Sequence, residues 1–169
     1  MPEIIVNRVA ESSITTLDLE AFYPNEDLVV FDLKNFLFME LILKEKDFRE
    51  SLKNIDLQVY AGKIVAVTCS ADAIIPMWAY MLVASLLQPV AADVIFGTAE
   101  QAVEEKILAN TRNMDMKSFE GQRVVVKGCG EKKISERIYL EVAKLLRPVA
   151  KSIMYGEPCS TVPVFKRQG

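Results

Sequence analysis

The sequence predicts an α/β fold: a three-layer sandwich with a mainly parallel sheet and an internal β-α-β duplication. Three observations carry this. The stretch from Lys63 to Gly97 reads as strand, loop, helix, strand. The chain then repeats it: with Gly121 laid on Gly62, residues 54–97 match 113–156 without a gap. Within that match Tyr80-Met-Leu-Val-Ala-Ser-Leu-Leu-Gln-Pro89 falls on Tyr139-Leu-Glu-Val-Ala-Lys-Leu-Leu-Arg-Pro148, and Val94-Ile-Phe-Gly97 on Ile153-Met-Tyr-Gly156. Internal periodicity is read before anything else, and two copies indicate a duplicated unit rather than a solenoid. Thirdly, strands alternate with helices, which implies right-handed crossovers and a mainly parallel sheet.

The elements follow in order. Ile4, Ile5, Val6 and Val9 suit a short helix or arm, and Thr15 to Leu19 a strand. Tyr23-Pro-Asn-Glu-Asp27 has turn composition, and Leu28 to Leu33 is an apolar run of strand length. Phe36 to Leu43 is apolar and fits either a strand or the start of a buried helix. Phe48, Leu52 and Ile55 recur at helical spacing among charged residues, so 44–54 reads as an amphipathic helix. Ile64 to Val67 is apolar on both faces, as a strand covered on both sides would be. Pro76 suits the first turn of a helix reaching Leu87, apolar nearly all round and therefore expected to be deeply packed. Val94 to Phe96 is a strand, and Thr98 caps a helix from Ala99 to Asn110 with Gln101, Glu104, Glu105 and Lys106 on its wet face. The second copy gives a strand over 123–127, a helix over 135–146 and a strand over 152–155. The tail to Phe165 reads as a loop ending in an edge segment, with Lys166 to Gly169 frayed. The first strands of the two copies are expected side by side at the centre of one sheet, with a ligand crevice at their carboxyl ends.

Composition narrows the function classes. The 169 residues suit a single domain, 51% hydrophobic and 25% charged. A net charge of −3 argues against nucleic-acid and anionic-membrane partners. The apolar run from Ala73 to Leu87 is too short to span a bilayer. No basic region precedes an apolar stretch at the N-terminus, so no signal peptide is expected. Three cysteines do not make a secreted disulfide framework, and the expectation is a cytoplasmic protein. A mean hydropathy of +0.18 hints at a homo-oligomer. With no histidine, proton transfer would fall to carboxylates, Lys, Tyr or Cys.

Cys69, Cys129 and Cys159 each follow a predicted strand. Strand ends about 4.8 Å apart could let three thiolates share zinc or an iron–sulfur cluster, with Asp72 or Glu157 or an external group as fourth ligand. Against this, no Cys-x-x-Cys pair is present, and free Cys is often a small buried hydrophobe. A second reading is a thiol enzyme using Cys69 or Cys129 near a helix start, without the usual histidine base. A third is a binding module: the backbone N–H groups of 70–72 and 130–132 would form anion nests, helped by Lys132, Lys133 and Arg137. Ser160, beside Thr161, could hydrogen-bond a ligand there. Trp78, Tyr80 and Tyr139 read as core. These residues leave open whether the chain is an enzyme.

Four segments resemble a known family: Leu43-Lys-Glu-Lys-Asp-Phe-Arg49, Thr68-Cys-Ser-Ala-Asp-Ala73, Pro76-Met-Trp-Ala-Tyr80 and Pro148 to Pro163. They are similar to domain-of-unknown-function family 2480, from Bacteroidetes bacteria, over nearly the whole chain. The resemblance implies no activity. It implies iron–sulfur assembly partners, by association alone.

Overall fold

The computed structural model describes residues 7–9, 14–128, 130–157 and 159–169, of 7–9 the backbone alone. The expected helix or arm at Ile4–Val6 lies outside them, whereas Val9 belongs to a strand. The described residues form β1 (Asn7–Val9), β2 (Ile14–Leu17), β3 (Leu28–Asp32), α1 (Glu45–Lys53), β4 (Ile64–Thr68), α2 (Met77–Leu87), β5 (Asp93–Phe96), α3 (Ala99–Arg112), β6 (Arg123–Val126), α4 (Glu136–Leu146), β7 (Ser152–Glu157) and β8 (Ser160–Lys166). This is the expected three-layer α/β class with mainly parallel sheets. Among the described residues no helix is long and apolar enough to cross a membrane.

The chain forms two compact units. One is Pro24–Glu105, the inner unit; the other, the outer unit, joins Met1–Tyr23 to Lys106–Gly169. The inner unit holds an all-parallel sheet of order β3-β4-β5, and the outer unit a sheet of order β1-β2-β6-β7-β8. In the outer sheet β2, β6 and β7 run parallel, and β1 and β8 add antiparallel edges. The expected single sheet with both copies at its centre is therefore corrected: β4 and β6 lie in different sheets. Each copy recruits its own first strand, so each central strand is already paired on both sides.

Register shows the duplication to be longer than 54–97 and 113–156. Ile14 pairs with Arg123 as Leu28 pairs with Ile64, which makes β2 the counterpart of β3. An aspartate just after β2 and at the end of β3 caps a short 3-10 turn, Asp18 before Leu19–Phe22 and Asp32 before Leu33–Phe36. The Gly62 N–H donates to Val90 O, and that of Gly121 to Val149 O, both at 2.9 Å. The outer unit's first strand thus precedes the entire inner unit in the chain.

Burial explains the helices. Ile64 to Val67 are all buried, so β4 is covered on both faces. Val65 and Val67 pack with Phe31, Phe48, Leu52, Ala79 and Val83. In α1 only Phe48 and Leu52 are buried, the amphipathic stripe expected of 44–54. Thr98 and Gln101 cap α3 reciprocally, Thr98 Oγ1 accepting from Gln101 N at 3.2 Å and Gln101 Oε1 from Thr98 N at 2.9 Å. In the outer unit Arg112 Nε (3.0 Å) and Lys144 Nζ (3.3 Å) hold the nearly buried Glu141. The Arg112 hydrogen bond, joined by that of Lys144, outweighs burial and keeps this carboxyl below its ordinary range.

Three expectations are corrected. Residues 36–43 are neither strand nor helix: after Phe36 the chain closes a tight Phe38–Ile42 bridge, with Met39 (φ 53°) and Glu40 (φ 59°) in the left-handed region. Second, α2 is not deeply packed all round, because Met77 and Met81 are exposed on its outer side. Finally, Arg167 is anchored rather than frayed. Its N–H donates to Lys151 O, and its guanidinium to the carbonyls of Ala150, Arg147 and Pro148 just beyond α4.

Candidate functional site

The carboxyl ends of β2, β6 and β7 surround a cleft of about 370 Å3 in the outer unit. Pairing puts Asp18 beyond β2 beside Lys127 beyond β6, and the Lys127 N–H donates to Leu17 O at 2.9 Å. Asp18 Oδ1 accepts from Glu20 N at 3.0 Å, while its other oxygen lies 3.4 Å from Lys127 Nζ. The Asp18 charge and this hydrogen bond, then Glu157 and Glu20, raise the Lys127 ammonium above its ordinary 10.5 against partial desolvation. Lys127 is therefore a fixed cation at neutral pH, suited to hold an anion and unsuited to act as a base or amine nucleophile.

Glu20 and Tyr23 pin the loop after β6. Glu20 Oε1 accepts from Lys132 N at 2.8 Å, and its carboxylate fills the space that a Cβ at Gly130 would need. Tyr23 Oη donates to Lys133 O at 2.6 Å, and Lys132 Nζ sits 4.8 Å from the Tyr23 ring centre. Tyr139 Oη donates to Gly128 O at 3.2 Å. The Tyr139 ring meets Tyr155 edge-on at 5.8 Å, giving the cleft an aromatic wall.

The inner unit builds the same frame with other chemistry. Tyr80 meets Phe96 edge-on at 5.6 Å, as Tyr139 meets Tyr155. Burial first, and Cys69 second, push the Tyr80 hydroxyl above its ordinary 10. Thr68, Ala73, Ile74 and Phe96 stand where the outer unit has Lys127, Lys132, Lys133 and Tyr155. Asp32 accepts from Lys34 N (2.9 Å), Ser70 N (3.0 Å) and Ser70 Oγ (2.5 Å). Burial pushes this carboxyl up, but the Ser70 and Lys34 hydrogen bonds and the Lys34 charge outweigh it, and its pKa falls below 3.8. With the folded value depressed, the ionised carboxylate's contribution is complete above 3.8 and is lost as pH falls through the folded value. Asp32→Ala should therefore destabilise the inner unit by about 1–2 kcal/mol at pH 7. In urea unfolding at pH 3 and below, the gap from wild type should narrow.

The residues expected to form one crevice fall in both units. Cys69 follows β4 in the inner unit, half-buried, with its Sγ donating to Ala71 O at 3.6 Å. The loop Cys69–Pro76 separates it in sequence from the first residue of α2. Cys159 is exposed in the turn between β7 and β8 of the outer unit. Glu157 and Ser160 face each other across that turn, and Asp72 is exposed. Cys129 lies outside the described residues. Among the described residues no group of three or more His, Cys, Asp or Glu could hold a metal ion. At both expected nests a backbone donor already serves the chain's own carboxylate: Ser70 N that of Asp32 and Lys132 N that of Glu20. Sequence reasoning missed Asp18, Glu20 and Lys127. The signal was a second, shorter repeat, Asp-Leu-x-x-Phe at Asp18–Phe22 and again at Asp32–Phe36.

No curated protein and no solved structure matches the chain. One family model, described as a protein of unknown function (DUF2480), matches residues 3–167. That match spans nearly every element described above, and the chain belongs to the DUF2480 family.

Proposed function

We propose that the chain binds a small anionic molecule in the cleft at the carboxyl ends of β2, β6 and β7. The observation that carries this is the contrast between the two copies. A duplicated frame is its own control. Both copies keep the capping aspartate and the edge-on aromatic pair. The inner unit completes that frame without Lys127, Lys132, Lys133 or Tyr155, so the fold does not require them. Three lysines line the cleft beside two carboxylates, Asp18 and Glu20, each already hydrogen-bonded. A volume near 370 Å3 lies at the small end of ligand sites and suits a phosphate or a carboxylate on a compact organic body.

Calorimetry and thermal-shift titration with inorganic phosphate, dicarboxylates and nucleoside monophosphates test this. Lys127→Met should weaken binding about tenfold or more, the worth of one charged hydrogen bond. Glu20→Gln should strengthen it, because it removes a competing negative charge. Absence of binding by every anion would end the proposal.

The cysteine-centred alternative, zinc or an iron–sulfur cluster on Cys69, Cys129 and Cys159, is decided separately. Metal content and a visible spectrum are measured on anaerobically purified protein, wild type beside Cys129→Ser. Stoichiometric metal that disappears in the variant would replace the anion reading.

A further inference from the structure

Gly128 and Tyr155, both in the wall of the cleft, form a matched pair. A Cβ at Gly128 would come within 2.7 Å of both Cζ and Oη of Tyr155. The Gly128 backbone is not left-handed, so glycine is needed there for space and not for conformation. The inner unit has Cys69 and Phe96 at these two positions, a side chain on the first and no hydroxyl on the second. The outer unit has exchanged both, and the end of the Tyr155 ring lies against bare backbone after β6. The frame does not need the added hydroxyl, since Phe96 keeps its edge-on contact with Tyr80 without one. Nor does the hydroxyl bond within the fold. Tyr139 Oη donates to Gly128 O and Tyr23 Oη to Lys133 O, whereas Tyr155 Oη makes no hydrogen bond among the described residues. Tyr155 is 41% exposed, so a ligand can reach it.

We propose that the ligand of this cleft is a compact aromatic monocarboxylate, which rests on the anion reading above and narrows it. One carboxylate oxygen lies on the Lys127 ammonium and the other accepts from Tyr155 Oη. Charge selects the monoanion. The lining sets Lys127, Lys132 and Lys133 against Asp18 and Glu20, three ammonium groups against two carboxylates, which leaves one positive charge in excess. Glu157 adds its own field at Lys127. A carboxylate neutralises the excess. A phosphate dianion would overshoot it, next to carboxylates that the Glu20 and Lys132 N–H groups hold in place. A phenol adds a donor without adding charge, which suits an anion whose charge is already matched. The body follows from the rest of the wall. Tyr139, Tyr155 and Ile134 offer aromatic and aliphatic surface to a ring.

The test is calorimetric titration of the full chain with benzoate, acetate, phenyl phosphate and inorganic phosphate at about pH 8, where a phosphomonoester, with its second pKa about 6, is a dianion. Benzoate should bind about tenfold more tightly than phenyl phosphate and than acetate. Tyr155→Phe, which restores the residue of the inner copy, should weaken benzoate about fivefold, the worth of one neutral hydrogen bond. Its thermal unfolding midpoint should not move, because the hydroxyl bonds to nothing in the fold. Gly128→Ala, whose methyl displaces the end of the Tyr155 ring, serves as the second variant and should weaken benzoate as well. Phenyl phosphate or acetate binding as tightly as benzoate would overturn the proposal and leave the anion reading standing. So would a benzoate affinity that neither variant changes. Binding of none of the four ligands would end both.

Discussion

Phe48→Ala should cost about 3–5 kcal/mol, the range for a large aromatic removed from a closed core. Phe48 is fully buried and is one of only two buried residues of α1. Its ring meets Phe36 edge-on at 5.5 Å and Trp78 at 6.1 Å, and Phe36 in turn stacks on Phe31 at 5.2 Å. The truncation therefore leaves a void where three elements meet: α1, α2 and the turn after β3. A domain is typically stable by about 5–15 kcal/mol, so this one change consumes a large fraction. Urea unfolding followed by far-UV circular dichroism measures it. A loss below about 1 kcal/mol would mean that α1 is not docked through this ring.

Gly156→Ala should be the next most damaging change and should exceed Gly97→Ala, although the two glycines are counterparts. Both have left-handed backbones, φ +121° and +131°. Strain alone costs about 1–3 kcal/mol for a residue with a side chain there. The difference lies in what the new methyl meets. At Gly97 the closest atom is Gln101 Oε1, which can swing away at the expense of its capping bond to Thr98, leaving a tight 3.0 Å approach to the Gln101 Cβ. At Gly156 it comes within 2.5 Å of the Ser160 backbone carbonyl across the β7–β8 hairpin, which cannot move without breaking the pairing of Tyr155 with Val162 and Gly156 with Thr161. Thermal unfolding of both variants ranks them. Equal losses would mean that the hairpin yields more easily than its register implies.

Much of the fold was legible because the governing signals are local. Pro76, the Thr98 cap and the apolar patterns place α2, α3 and α4 to within a residue or two. The ungapped repeat displayed the second half of each copy plainly. It did not display the first strands, because β2 and β3 lie only fourteen positions apart while their partner strands lie much farther along the chain. Long-range pairing of that kind leaves no periodicity to read, and so the two copies were placed in one sheet. Residues 36–43 misled for another reason. Their apolar character suggested burial, but Met39, Leu41 and Ile42 are exposed around the left-handed turn. The candidate site was legible in place, at the carboxyl ends of parallel strands, and illegible in composition. The cysteines drew attention as rare residues, whereas Lys127 and Glu20 became meaningful only once pairing set them beside Asp18 and the turn at Gly130.

The early departure of β2 from the rest of its sheet bears on how the chain is made. Asp18 and Lys127 are 109 positions apart, and everything from Pro24 to Glu105 is translated between them. During synthesis the inner unit has all three of its strands before β6 exists, so it can close first, while β2, with only β1 to pair with, waits for its other neighbour. Asn110 Nδ2 then donates to Phe22 O at 2.9 Å, which brings the chain before the insertion beside the chain after it. A folded insert whose ends are held close replaces a long flexible loop by a short one, and loop-closure entropy falls accordingly. The inner unit is in this sense an assembly jig for the outer one: a lesion that delays its closure would leave the β6-facing edge of β2 unmated on the nascent chain, far from the mutated residue.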